Sequence, residues 1–212
     1  MKKKIKDTER ILNKSKLKIS KNVALSQYTT TKLGGKAKYF IECKKQSCLI
    51  NAFRLANDLE IPVLVIGSGS NILLNDGVFD GFVIVNKVGK IRKTGSLLRV
   101  SSGLKLTELV STTQERGLSG LEKLAGLPGT VGGAIYGNAG AYGSSISDCL
   151  LKVKVFDGKK LRWIYKKGCD FSYRESLFKK TKLVIVEVLF KFKKSSKEVI
   201  KKEILKILRE RK

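Results

Sequence analysis

Few residues in this 212-residue chain can do chemistry, and one type is missing outright: there is no histidine. Ser-His-Asp and Cys-His mechanisms are therefore excluded. Acid, base and electrophile roles fall to Lys, Arg, Tyr, Ser, Cys or a carboxylate. Four cysteines stand at 43, 48, 149 and 169, and no two share C-x-x-C spacing. A structural zinc site takes about four N or S ligands, usually in close pairs. No metal site is expected, and the cysteines read as reduced, buried small hydrophobes.

What stands out instead is glycine. Residues 126–143, "GLPGTVGGAIYGNAGAYG", hold seven glycines and no charge, inside a chain crowded with lysine. A plain connection needs one or two glycines. Here Gly129, Gly132 and Gly133 would let backbone lie against a flat or anionic ligand, with Asn138 and Tyr142 as polar contacts. A second loop follows a buried apolar run in "VLVIGSGSN" (63–71). It begins like a dinucleotide fingerprint, but position 72 is Ile where the third glycine belongs. No acidic residue stands about 20 positions on. Two readings stay open for it: a different phosphate-binding turn, with Ser68, Ser70 and Asn71 as added donors, or an ordinary tight turn. Two such loops in one small domain favour a large nucleotide cofactor.

The elements that must position these loops are legible from periodicity. Residues 1–21 form a basic lead-in with a helix expected at 7–14. "AKYFIEC" (37–43) reads as a strand. "QSCLINAFRLANDLE" (46–60) has apolar residues at 49, 50, 53, 56 and 59, a helical stripe closed by Ile61-Pro62. "VLVIG" (63–67) completes a β-α-β unit. Later runs, "GFVIVN", "LLRVSSG", "LLKVKVFDGKKLRWIY" and "LVIVEVLFKFK", read as strands, with Asp157-Gly158 as a hairpin turn. A helix is expected over 106–116, ending at Gly117. A one-sided helix is expected in 195–212, with apolar positions 199, 200, 204, 207 and 208. That face would pack on its own domain or serve as a docking surface. The class is α+β, without regular βαβ repetition. Residues 22–80 form a first subdomain, 81–194 a second, and 195–212 the tail.

The formal charge of +26 invites a nucleic-acid reading. Only nine of the 44 basic residues are arginine, and the lysines run along the whole chain. No focused patch or aromatic platform is evident in the sequence. A nucleic-acid role also leaves the neutral glycine stretch unexplained, so nucleic acid is not expected as a partner. No apolar run reaches the roughly 18 residues of a membrane helix. The basic N-terminus lacks the apolar stretch of a signal peptide. The expected location is cytoplasmic, with no membrane partner.

Four segments then acquire a family likeness: "TTTKLGGKAKYF" (29–40), "VIGSGSNILLND" (65–76), "GLEKLAGLPGTVGGAIYGNAGAYG" (120–143) and "FSYRESLF" (171–178). In order and spacing they resemble the successive motifs of the UDP-N-acetylmuramate dehydrogenase (UDP-N-acetylenolpyruvoylglucosamine reductase) family, over roughly residues 20–212. The resemblance implies a two-subdomain FAD-binding fold of the vanillyl-alcohol oxidase/PCMH type. It implies that Gly67, Ser68, Gly69, Ser70 and Asn71 bind FAD. The same role falls to Pro128, Gly129, Thr130, Gly132, Gly133, Asn138, Gly140, Ala141 and Tyr142. It implies reduction of UDP-N-acetylglucosamine-enolpyruvate to UDP-N-acetylmuramate, a peptidoglycan precursor, with NADPH as hydride donor. Arg174 matches the family's catalytic arginine, and Tyr173 beside it a substrate contact. A fixed guanidinium there would fork onto the substrate carboxylate as negative charge develops.

Two departures from the family pattern carry weight. Ser68 stands where the family loop has its middle glycine, which is tolerable if φ is negative there; Ser145 stands where members often carry Glu. Members also continue for about a hundred residues, with a Gly-Ser-x-Phe-x-Asn-Pro motif and a late glutamate. The only prolines here are Pro62 and Pro128. The serine acid and the glutamate are therefore expected to be missing, with the chain impaired alone, a non-catalytic FAD-binding module, or served by a separate polypeptide.

Overall fold

The computed structural model describes residues 10–12 and 14–211. The chain divides into two compact units between Lys87 and Val88. The expected boundary at 80/81 would cut within the strand Val78–Asn86, which pairs with its neighbour on both sides of that point.

The first unit carries β1 (Ser20–Ala24), β2 (Lys36–Cys43), α1 (Gln46–Asp58), β3 (Val63–Ile66) and β4 (Val78–Asn86). Its sheet order is β1-β2-β4-β3, with β1 antiparallel and β2, β4 and β3 mutually parallel. β4 sits centrally because residues 82–85, Phe-Val-Ile-Val, are apolar on both faces and fully buried. Leu49, Ala52, Phe53 and Ala56 form the buried stripe of α1. Ile61-Pro62 follows the helix end, where Glu60 adopts φ 55°. Of the helix expected at 7–14, residues 10–12 and 14 are helical, and the rest lies outside the described residues.

One expectation is corrected here. Cys43 and Cys48 are joined by a disulfide rather than held as separate thiols. Cys43 ends β2 and Cys48 lies in the first turn of α1, so the tight β2–α1 connection brings their Cα atoms to 5.4 Å. Cys149 and Cys169 are free, and burial raises both thiols to about 11, Asp148 and Glu122 adding to the rise at Cys149.

The second unit contains β5 (Ile91–Thr94), β6 (Leu97–Ser101), α2 (Leu106–Glu115), β7 (Leu118–Ser119) and α3 (Val131–Tyr136). Then come β8 (Gly140–Ala141), β9 (Ser144–Ser145), β10 (Leu150–Phe156), β11 (Leu161–Tyr165), β12 (Val184–Lys191), β13 (Lys193–Lys194) and α4 (Lys197–Glu210). Five strands form an antiparallel sheet in the order β11-β10-β12-β6-β5. One face supplies the core through Leu98, Val100, Val153, Val155, Val188 and Phe190. Burying each such side chain contributes roughly 1.5–3 kcal/mol. The β10–β11 hairpin turns at Asp157-Gly158 as its sequence predicts. Asp157 Oδ1 accepts from the amides of Lys159 and Lys160, each at 2.9 Å, and Gly158 takes φ 97°. Those amides hold the Asp157 carboxyl below its ordinary range.

α4 starts at Ser196, whose hydroxyl accepts from the Val199 amide at 3.2 Å. Ile200, Ile204 and Ile207 are buried in the core of the same unit. The stripe expected as a possible docking surface is therefore covered by its own domain. Val199, Leu205 and Leu208 remain exposed.

Candidate functional site

In the first unit, loop 67–71 runs directly from β3. Gly69 is buried with φ 64°, and a Cβ there would overlap the Tyr28 carbonyl oxygen. Its own carbonyl accepts from the Thr30 amide at 3.0 Å and the Thr30 hydroxyl at 3.4 Å. The segment 28–35 is thus the loop's seat, a role the sequence reading did not give it. The signal for it lies in the Gly-Gly of "TTTKLGG". Gly35 continues the interleaving, donating to the Asn75 carbonyl at 2.8 Å. Ser68 is not among the residues with positive φ, so the serine in place of glycine is unstrained. Among the described residues, the amides of Ser68, Gly69, Ser70 and Asn71 have no hydrogen-bond partner. Beneath the seat, Lys87 Nζ donates to Glu42 Oε2 at 2.8 Å. That bond lowers the Glu42 carboxyl, while burial and then the Glu42 charge raise the Tyr28 hydroxyl.

The second unit treats its glycines differently. The stretch 126–143 contains a helix, α3, that its composition concealed. Thr130 is buried and caps α3 by accepting from the Gly133 amide at 3.3 Å. The Val131 amide donates to the Leu104 carbonyl and the Gly132 amide to the Ser102 carbonyl. A Cβ on Gly132 would stand 2.9 Å from Ser102, so glycine here lets the helix start rest against the chain that leaves β6. The amides of Ala134, Gly137, Asn138 and Ala139 are also bonded internally. Gly133 is exposed, and a Cβ on it would meet only Thr130 Oγ1 at 3.5 Å. Gly129 adopts φ 119°, and Pro128 before it is exposed.

β8 and β9 close a tight hairpin at Tyr142-Gly143, with φ 51° and 74°. A Cβ on Gly140 would stand 2.8 Å from the Ser144 carbonyl oxygen. Ala141 is half-buried within this hairpin. The Tyr142 ring carries the Arg211 guanidinium at 5.2 Å, and its carbonyl accepts from Lys123 Nζ at 3.0 Å. Ser145 is used locally: its amide and hydroxyl both donate to the Asp148 carboxylate, at 2.8 and 3.0 Å.

Tyr173 and Arg174 occupy the tip of a tight turn closed by paired Ser172 and Glu175 backbone bonds of 3.3 and 3.2 Å. Tyr173 is 89% exposed. Arg174 takes φ 57°, an unusual conformation for a non-glycine residue. Its guanidinium stands 5.9 Å from the Tyr173 ring centroid. Two bonds tie this turn to the glycine stretch. Asn138 Nδ2 donates to the Ser172 carbonyl at 2.9 Å, and the fully buried Ser176 donates to the Tyr136 carbonyl at 2.6 Å. Asn138 Oδ1 is enclosed and has no partner among the described residues. Asn138 therefore acts on the Tyr173–Arg174 turn. Ser172 and Ser176 were not singled out from sequence; only the repeated small polar residues in "FSYRES" hinted at them.

No group of three or more His, Cys, Asp or Glu that could hold a metal occurs among the described residues. No described helix is long and apolar enough to cross a membrane.

The sequence model of a FAD binding domain family matches residues 37–160. A UDP-N-acetylenolpyruvoylglucosamine reductase of Solibacter usitatus is 39% identical over 166 residues, covering 78% of this chain and 53% of that protein. Another, from Clostridium novyi, is 33% identical over 209 residues, covering 98% and 67%. Among solved structures, UDP-N-acetylenolpyruvylglucosamine reductase from Thermus caldophilus superposes with a TM-score of 0.79 at 32% identity, covering 92% of this chain and 70% of that one. An alkyldihydroxyacetonephosphate synthase superposes at 0.65 with 12% identity, a likeness of fold alone. The chain spans between 53% and 67% of the length of these curated relatives.

Proposed function

The chain belongs to the UDP-N-acetylenolpyruvoylglucosamine reductase family and carries its FAD-binding portion, and from that premise we propose that it serves reduction of the enol ether UDP-N-acetylglucosamine-enolpyruvate. FAD, when bound, would supply hydride transfer, with NADPH as the proposed reductant and UDP-N-acetylmuramate as the product. The family resemblance assigns cofactor contacts to residues 67–71 and to the stretch 128–143.

The residues fit such a group. Four unpaired amides at 68–71 suit phosphate oxygens, and backbone N–H groups in succession form anion-binding concavities. Exposed Gly133, with no side chain on its open face, suits close approach of a flat ring.

The observation that carries the catalytic part is the tethered Tyr173–Arg174 turn. Asn138 and Ser176 hold this turn against the glycine stretch through bonds of 2.9 and 2.6 Å. Arg174 there would fork onto the substrate carboxylate and stabilise the charge that develops beside it. Tyr173 would contact the substrate. Asn138 is a positioning residue in this scheme, setting where the guanidinium stands.

Arg174→Ala tests the assignment. Flavin content is expected to be unchanged, while enol-ether reduction falls by about 10²–10³. Unchanged turnover removes Arg174 from the chemistry. A second reading is a FAD-binding module or partner subunit without catalysis of its own. Turnover by the chain alone, against turnover only after addition of a separately expressed substrate domain, separates the two. Peptidoglycan precursor synthesis in the cytoplasm is the setting this reading implies.

A further inference from the structure

Spread along the sequence, the lysines of this chain form no patch; folded, some of them do. Cross-strand register in the five-stranded sheet places Tyr165 opposite Lys152, Lys152 opposite Leu189, Leu189 opposite Arg99, and Arg99 opposite Arg92. The adjacent row on the same face runs Trp163, Lys154, Glu187. Residues two apart along a strand share a face. The opposite face is the core of the unit, so these rows form the outer face.

Their chemistry is one-sided. Four cations meet a single carboxylate, Glu187, which pairs with Arg99 at 3.8 Å. The cations cluster on aromatic rings. Lys152 Nζ stands 4.9 Å from the Trp163 centroid and 5.4 Å from that of Tyr165. Arg99 and Lys154 stand 5.5 and 5.7 Å from Trp163. Tyr165 is 66% exposed.

We propose that this outer face binds single-stranded nucleic acid. Phosphates have Lys152, Lys154, Arg99 and Arg92 to neutralise them. Bases have the exposed ring of Tyr165 to stack on, with Trp163 beside it, and every base has a π-face. An acidic protein would use the cations and leave the rings idle. The combination of a neutralising row with an aromatic platform is what a polymer of both phosphates and bases requires. The notion that this chain lacks a focused basic patch holds for its sequence and fails for its fold.

Trp163 is the only tryptophan in the chain, so its fluorescence reports this face alone. The full chain, carrying whatever flavin it retains, is titrated with oligothymidylate, with heparin and with phosphatidylserine vesicles. Oligothymidylate is expected to quench Trp163. Its log affinity should fall with log salt at a slope of about −2 to −3, from three or four phosphate contacts. Heparin, which has charge but no bases, should compete without quenching. The K152E/K154E pair should lose at least about tenfold in oligonucleotide affinity. K201E/K202E on α4 should lose about twofold or less. Tyr165→Ala should weaken oligothymidylate and leave heparin unchanged, and it serves if the charge-reversed pair does not fold. The proposal is overturned by absence of quenching at saturation, by equal losses in the two lysine pairs, or by vesicles outcompeting the oligonucleotide.

Discussion

The two glycine loops look alike in sequence and work in opposite ways. In loop 67–71, Gly69 is pressed on the Tyr28 carbonyl while four successive amides stay unpaired. In 126–143, the amides of residues 131–134 and 137–139 are consumed within the protein, and Gly132 exists to let α3 approach Ser102. The first loop is tight so that its amides can be spared. The second is tight so that a helix and a hairpin can carry other groups, Gly133 and the bonds to the Tyr173–Arg174 turn. Glycine content therefore marks close approach, and only the hydrogen-bond inventory says whether the approach is to protein or to ligand.

Substitutions can break or sharpen this contrast. The largest effect is expected at Gly69→Ala. Left-handed φ costs about 1–2 kcal/mol for alanine, and the overlap with backbone that cannot swing away adds to it. A loss of about 3 kcal/mol or more in denaturant unfolding, with loss of flavin, is expected. A near-neutral result would mean the loop does not need its tight seat.

Next comes Asn138→Ala. One hydrogen bond of about 1 kcal/mol is lost, and alanine must hold φ 41° at a further cost of about 1 kcal/mol. Asn138→Gly should recover the second part and not the first. If Asn138 positions Arg174, both variants lower kcat at unchanged flavin affinity. Equal unfolding losses for the two would show that backbone strain is not the issue.

The free thiols provide a pH test in the second unit. Folded Cys149 and Cys169 titrate at about 11, above the ordinary thiol range. Their contribution is complete below the unfolded value and is lost as pH rises from about 9 towards about 11. Thermal unfolding should weaken by about 1–2 kcal/mol across that window, less the share that solvent screens at half-buried Cys149. A Cys149→Ser/Cys169→Ser double variant should flatten the profile, and an unchanged slope would contradict this cause.

The smallest effect is the most discriminating. Gly133→Ala fills open space in a helix and should stabilise the fold by about 0.5–1 kcal/mol. If a flavin ring lies on that open face, the same change weakens FAD binding. Gain in both quantities would place the ring elsewhere.

Much of this was legible in sequence where the signal is local. The apolar run of β4, the stripe of α1, the Asp157-Gly158 hairpin and the 200/204/207 face of α4 each follow from their own residues. α3 was not legible because glycine is a poor helix former, and tertiary bonds from Val131 and Gly132 to Leu104 and Ser102 overrode propensity. The Cys43–Cys48 link depends on how sharply β2 turns into α1. Of the candidate site, resemblance identified the loops and the Tyr173-Arg174 pair. It did not give the Ser176–Tyr136 bond or the use of Asn138, which depend on partners 40 and 34 residues away. The basic face of the sheet is not legible for the same reason: it is assembled by register across five strands.

The central claim is that this chain holds FAD through its own residues. The most direct measurement is the visible flavin absorbance that remains with the purified chain after gel filtration in excess FAD. The account predicts a yellow, stoichiometric complex whose absorbance NADPH bleaches and which Gly69→Ala cannot form. A folded, colourless chain that takes up no added FAD would contradict it.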